Sequence, residues 1–410
     1  MNFRSLKLKK QAVEAARTLR SYVGRTAAFL PGTSIQFGPP RREATTSSIT
    51  DVSVVKRHSI IPARKARREV PELADPPLDK WMAQPRTSDI KEIFVAEVPQ
   101  GRYWGRFNGY IVDRTDALLT DISPTFRPSD KRHDGLDQLR LPPLREVLGT
   151  VAVINTLFSD NFHHWLLDTL PRFDWLRRAG WRLSDIDHFV LPKKLLRFHL
   201  ETLELLGIDQ SKVIPSDDNL HLRADLLLAP CHSEPAALPL EYNYTPQGLQ
   251  FVRELFLKHN PFLQKQYPKR IIISREKAKS RRLVQAERAN RLLAAQGFEK
   301  VLLEDHSLRE QAAMFHQAEC IIMPTGGNLA NFAFCRSGTV AIELFSITYV
   351  PPFTYALVDE IGLRYHGIVT QTISRPHPDA RGNDTDIDVD PDRLADVVRQ
   401  VLAKWCPNWS

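Results

Sequence analysis

From about residue 90 onward, apolar positions follow two periods in turn. Ile93-Phe94-Val95-Ala96-Glu97-Val98, Gly109-Tyr110-Ile111-Val112 and Val151-Ala152-Val153-Ile154 read as strands, as do the short apolar runs Phe189–Leu191 and Leu226–Leu228. Between them, helical spacing is expected near Phe162–Ala179 and Lys194–Leu206, with Gly180 and Gly207 placed as C-terminal caps. After the Pro-rich stretch Pro230–Pro246 the alternation resumes. Strand Arg270–Ser274 leads to helix Gln285–Gln296 and strand Phe298–Leu303, and Ser307-Leu308-Arg309-Glu310 has the form of a capping box. Strand Cys320–Met323 then runs into Pro324-Thr325-Gly326-Gly327-Asn328 and a short helix, strand Thr339–Leu344 follows, and Asp390-Pro391 opens a last helix to Trp405. Alternating strand and helix predicts an α/β protein with mostly parallel sheets covered on both faces. We expect two doubly wound, Rossmann-like domains facing a cleft.

The N-terminal quarter has a different character. Leu6–Phe29 spaces its apolar residues as one basic helix, ended by Pro31-Gly32, and a Pro/Arg/Ser/Thr-rich stretch follows. Residues 1–72 hold 15 Lys/Arg against 5 Asp/Glu, a balance of +10, so the other 338 residues carry −2 of the total +8. The expected organisation is a basic, partly helical or disordered extension over residues 1–90. An acceptor domain follows over 91–235, then a donor domain over 245–385 and a C-terminal helix over 390–410. The arm suits an anionic surface, and residues 1–30 are a candidate membrane-surface contact. The near-neutral body carries no nucleic-acid-binding motif, so no nucleic-acid partner is expected. Four scattered cysteines without a CxxC pair, no apolar run of spanning length and no apolar leader fit a cytoplasmic protein, with the arm its one route to the inner face of a membrane. Oligomeric state is not legible.

Four constellations can carry chemistry. In a helix through Asn161-Phe162-His163-His164-Trp165-Leu166-Leu167-Asp168, His164 and Asp168 stand at i, i+4, with Arg172 continuing that face. A carboxylate beside an imidazole makes a general base, and the same spacing also serves a structural pair. The turn Thr325-Gly326-Gly327-Asn328 between a strand and a helix suits a diphosphate, because its amides and the helix dipole face an anion. Ser274 and Arg275, with Lys277, Lys279, Arg281 and Arg282, lie beyond a strand end where cations clamp phosphate, unless they form only a solvated loop. Glu343 near a strand end is placed as a ribose-binding acid is in nucleotide folds. The run Asp384–Asp390 lacks the glycine of a calcium loop and reads as an exposed strand. No metal and no cofactor are expected.

These residues together resemble the family 61 glycosyltransferases, a group associated with bacterial capsular polysaccharide synthesis. Asn161 to Arg172 is similar to the family's N-Y-Y-H-W-L-L-D-x-L-P-R. Ile273-Ser274-Arg275 with Arg281-Arg282, Ser307–Gln311, and Gly338 to Leu344 match three further elements. One element departs: the family's P-H-G-A-G-L-T-N reads Pro324-Thr325-Gly326-Gly327-Asn328-Leu329-Ala330-Asn331 here. The resemblance implies a metal-independent, inverting GT-B enzyme that uses a nucleotide-sugar donor and a glycan or lipid-linked glycan acceptor. It implies His164, Asp168 and His163 as catalytic residues. Donor contacts fall on Ser274, Arg275, Arg281, Arg282, Thr325, Gly326, Gly327, Asn328, Asn331 and Glu343, and acceptor contacts on Asn161, Trp165 and Arg172. The alternative is a non-catalytic GT-B-like module that binds nucleotide or glycan in an assembly complex.

Overall fold

Strand β1 (Arg145–Val153) is the centre of the first sheet, and it is apolar at its carboxyl half because both faces are covered there. The computed structural model describes residues 39–73, 83–106, 109–125, 133–138, 140–231, 244–370 and 385–405. The basic helix expected over Leu6–Phe29 lies outside them. The described residues are mixed α/β and fall into two compact units.

The first unit takes residues 39–63, 91–160 and 168–231. Beside β1 run β2 (His188–Pro192), β3 (Val213–Ser216) and β4 (His221–Pro230), all parallel, in the order β3-β2-β1-β4. Helices α1 (Phe162–His164) and α2 (Pro171–Arg178) lie between β1 and β2 in the chain, and α3 (Arg197–Leu206) between β2 and β3. The expectation of a mostly parallel sheet holds only for this half. Ile93–Pro99 and Arg102–Trp104 both pair antiparallel with β4, and Tyr110–Val112 pairs antiparallel with Arg102–Trp104. Of these strands only Arg102–Trp104 and Tyr110–Val112 pair as sequence neighbours, and a link that short permits a hairpin but no crossover.

Residues 42–73 and 83–90 are not an appendage. Arg42–Ala44 and Lys56–Ile61 join the first sheet. Arg64–Arg68 and Arg86–Ile90 form a two-stranded ribbon in the second unit, and Glu72–Leu73 lengthens that unit's main sheet. Their many cations hide the strand signal, because alternate residues such as Ile61 and Arg68 turn inward.

The second unit comprises residues 64–73, 83–90, 161–167 and 244–370, with 385–405. Its strands β5 (Arg270–Ile273), β6 (Glu299–Val301), β7 (Cys320–Pro324), β8 (Val340–Phe345) and β9 (Arg364–Val369) are all parallel, in the order β6-β5-β7-β8-β9. Helices α4 (Pro246–Leu257), α5 (Ala286–Ala294), α6 (Leu308–Gln317), α7 (Phe353–Ile361) and α8 (Pro391–Trp405) complete it. The expected capping box opens α6: the Ser307 hydroxyl accepts from the Glu310 amide at 3.2 Å, and Glu310 accepts from the Ser307 amide at 3.0 Å. Gly207 closes α3 in the left-handed region, as expected. The core beneath α5 and α8 includes Leu293, Ile322, Ile342, Leu394 and Val398, with Ile387 and Val389 fully or almost fully buried. The Asp-rich run is therefore not an exposed strand over its described part. Ile387 bridges to Leu283 and its alternating apolar residues enter the core. Among the described residues no helix is long and apolar enough to cross a membrane.

The strand order moves outward from β5 to β6, then returns across β5 to β7 and continues to β9. The sheet therefore changes direction between β5 and β7. Loops leaving their carboxyl ends diverge there and open a crevice, the place where such sheets hold ligands.

Replacing Ser307 by alanine removes one of the two reciprocal caps of α6. We expect a loss of about 1 kcal/mol in urea unfolding followed by circular dichroism. An unchanged midpoint would show that the box carries no stability.

Candidate active site

Sequence locality first sets α1. The Asn161 side chain accepts from the His163 amide at 2.9 Å, which is how Asn starts a helix. The helix does not then run through as one α-helix. Trp165–Thr169 is a π turn, and a new α-helix begins with Pro171 at its first position. Proline has no N–H and its ring clashes with the carbonyl four residues back, so the chain widens before it. A π turn takes up an extra residue, so the face extrapolated from His164 to Arg172 is lost. Arg172 is buried in the first unit and donates to the Val153 carbonyl at 2.9 Å. Burial pulls its guanidinium down to about 10. Trp165 is fully buried as well. Two of the three expected acceptor contacts are thus interior residues, while Asn161 is exposed.

His163 also faces inward. Its Nε2 shares a 2.8 Å hydrogen bond with the Tyr244 hydroxyl, and Phe353 packs edge-on at 5.2 Å. Burial, then neighbouring His164, pull its pKa down to about 3, so it is neutral near pH 7. His164 and Asp168 are half-buried. His164 belongs to the second unit and Asp168 to the first.

Three motifs far apart in the chain meet in the second unit. Gly327 lies against α1: a side-chain carbon there would stand 3.3 Å from Asn161 Oδ1 and 3.9 Å from the His163 nitrogen. Gly326 lies against Arg275: the same carbon would fall within van der Waals overlap of Nη1, and 3.0 Å from Cζ. Gly326 is extended, so glycine is needed for close approach and not for its backbone angle. The Arg275 Nε and Nη2 both donate to the Ser280 carbonyl at 3.3 Å. Burial, and then the like charge of Arg281, pull Arg275 down to about 10. Arg281 stands in the left-handed region at φ 58°, with its guanidinium 5.6 Å from the Tyr349 ring centre.

The glycine turn is fixed from behind. Asn331 is fully buried and donates to Gln311 Oε1 and to the Asn328 carbonyl, both at 3.1 Å. Gln311 in turn donates to the Leu303 carbonyl at 2.8 Å. Gln311 therefore ties the β6 loop to the glycine turn, a role its helical position alone did not reveal. Beside the turn a cavity of about 370 Å³ opens at the carboxyl ends of β5 and β7. Ile273, Ser274, Arg275, Leu283, Val284, Asn290 and Pro324 line it.

The other expected donor residues are placed differently. Arg282 is held by Asp386: its amide donates at 2.9 Å and Nη2 reaches Oδ2 at 2.9 Å. The pair lines the cavity and leaves Arg282 neutralised. Glu343 is fully buried. Tyr365 donates to it at 2.8 Å and Thr354 at 3.2 Å, so its carboxyl is engaged inside the fold and not at a strand-end surface. Burial pushes its pKa up to about 8, against the lowering pull of Tyr365, Thr325 and Thr354. Thr325 is itself fully buried, and its amide donates to the Leu344 carbonyl at 2.9 Å. Among the described residues no three His, Cys, Asp or Glu are gathered as metal ligands.

With this geometry in hand, residues 162–342 match the profile of the family described as Glycosyltransferase 61. That stretch contains α1, the Arg275 loop, the glycine turn and the first half of β8. No curated protein matches the chain.

The buried Glu343 sets a pH dependence. The folded chain keeps its proton up to about pH 8, whereas an unfolded carboxyl loses it near 4.5. The folded state binds more protons between those values, so this group's contribution to stability is greatest below pH 4.5 and falls as pH rises toward 8. Glu343→Gln should flatten urea midpoints across that window; an equally steep decline in the variant would contradict the burial of a protonated acid.

Proposed function

We propose that the chain is an inverting glycosyltransferase of GT-B type. It moves a sugar from a nucleotide-activated donor to a glycan or lipid-linked glycan acceptor, in surface polysaccharide assembly. The second unit holds the donor and the first unit the acceptor. The observation that carries this reading is the packing of the Arg275 guanidinium on Gly326, at the direction change of a doubly wound sheet. A donor diphosphate fits there against Arg275, Arg281 and the amides of the glycine turn, with its nucleoside in the adjoining cavity.

The chemistry follows from charge. The acceptor hydroxyl attacks the anomeric carbon as the bond to the diphosphate oxygen breaks, and that oxygen leaves with the electron pair. The hydroxyl proton passes to His164 or Asp168. Arg275, Arg281 and the backbone amides meet the charge that develops on the leaving diphosphate, so this route needs no metal. His164 is favoured as the base, because it shares a compact unit with the glycine turn and stands three residues from Asn161, which touches it. His163, Trp165, Arg172 and Glu343 act as positioning residues, since each is buried.

Calorimetric titration of UDP, GDP and CDP into the full chain tests the donor site. Arg275→Ala and Gly326→Ala should each weaken the nucleotide that binds by about tenfold or more, the second by displacing the guanidinium. Equal affinity in both variants would remove this loop from the donor site. His164→Ala should lower donor turnover about 10²–10⁴-fold while nucleotide affinity stays unchanged, with Asp168→Asn as the comparison. Full turnover in both would take the α1 region out of the chemistry.

A further inference from the structure

The first unit carries a feature that no motif announced. Phe158 follows β1 in the loop Asn155-Thr156-Leu157-Phe158-Ser159-Asp160, at the carboxyl end of a parallel sheet. Its backbone sits at φ 62°, in the left-handed region that a bulky side chain rarely enters. It is also 46% exposed, an unusual setting for a large aromatic residue.

The flanking residues force this conformation. Asn155, Thr156 and Ser159 are each at most 4% exposed. The Ser159 hydroxyl bonds Asn155 Oδ1 at 2.5 Å, the Thr156 and Thr169 hydroxyls share a bond of 2.8 Å, and the Ser159 amide donates to the Thr156 carbonyl at 3.2 Å. His199, fully buried on α3, reaches the Ser159 carbonyl at 2.9 Å through Nε2. The loop is thus pinned on both sides of one residue, a partly exposed aromatic residue under backbone strain. Strain held by surrounding structure marks functional positions, because packing alone would select glycine or asparagine there.

We infer that Phe158 is a stacking platform for a pyranose ring of the acceptor. This rests on the glycosyl-transfer reading above and names a residue and a ligand class for the acceptor side. A pyranose presents a face of C–H bonds that are slightly positive, and an aromatic face is negative, so the two stack without demanding one particular hydroxyl pattern. The carboxyl end of β1 is where a sheet of this kind receives its ligand.

The test uses saturation-transfer NMR on the full chain with methyl pyranosides of the gluco, galacto, manno and xylo series. At least one should receive saturation at its ring C–H protons from the wild-type protein. Phe158→Ala should reduce that signal about tenfold, and Phe158→Trp should retain it. Phe158→Gly should abolish it while melting no lower than wild type, since glycine takes φ 62° freely. A pyranoside signal absent from wild type or unchanged in Phe158→Ala, or a glycine variant that melts well below wild type, overturns the inference. UDP, GDP and CDP titrations should be the same in all four proteins. Their failure in wild type would count against the donor site alone, leaving the pyranoside result to decide Phe158.

Discussion

The meeting of the glycine turn and the Arg275 loop in the second unit turns on one steric allowance: nothing but hydrogen stands on the α-carbon of residue 326. A guanidinium from the end of β5 occupies the space a side chain would take, and the next glycine admits the start of α1 to within contact of the turn. Two chain segments more than a hundred residues apart are therefore held against a third. The cation at that point is half-desolvated, which strengthens its attraction for any anion that reaches it and leaves it poorly served by water until one does.

Around that contact the fold spends buried polar groups to fix a short irregular segment. Gln311 and Asn331 lock the turn from the α6 side, and Glu343 sits beneath it among hydroxyls. Thr325, fully buried, is a small hydroxyl residue that fits beside this carboxyl. The neutral state of Glu343 also means that the unit's interior charge is set by its surroundings and not by residue type.

Much of the local structure was legible in the chain. The capping box at Ser307, the glycine cap of α3 and the Pro-initiated α8 are local devices whose partners lie within four residues, so residue identity nearly suffices to specify them. The strand positions of β5, β7 and β8 were legible for a related reason: strands buried on both faces leave short apolar runs between helices of clear period. The strands of residues 42–90 were not, because edge strands keep one face in water and here fill it with Lys and Arg. The π turn was signalled by Pro171 alone, and a proline inside an apolar pattern states that something breaks without stating how.

The sequence by itself determined which residue types are available for chemistry: a histidine and an aspartate on a short helical stretch, a strand-end arginine, and two glycines before a helix. Tertiary structure alone decided which of them meet. It joined Arg275 to Gly326 and Asn161 to Gly327, turned His163, Trp165 and Arg172 inward, and gave Arg282 to Asp386. It also set Phe158 in a backbone conformation that its own type disfavours. The reason is physical. Periodicity and capping are set by neighbours within one or two turns, whereas burial, ion pairing and backbone strain depend on segments that only the folded chain brings within reach.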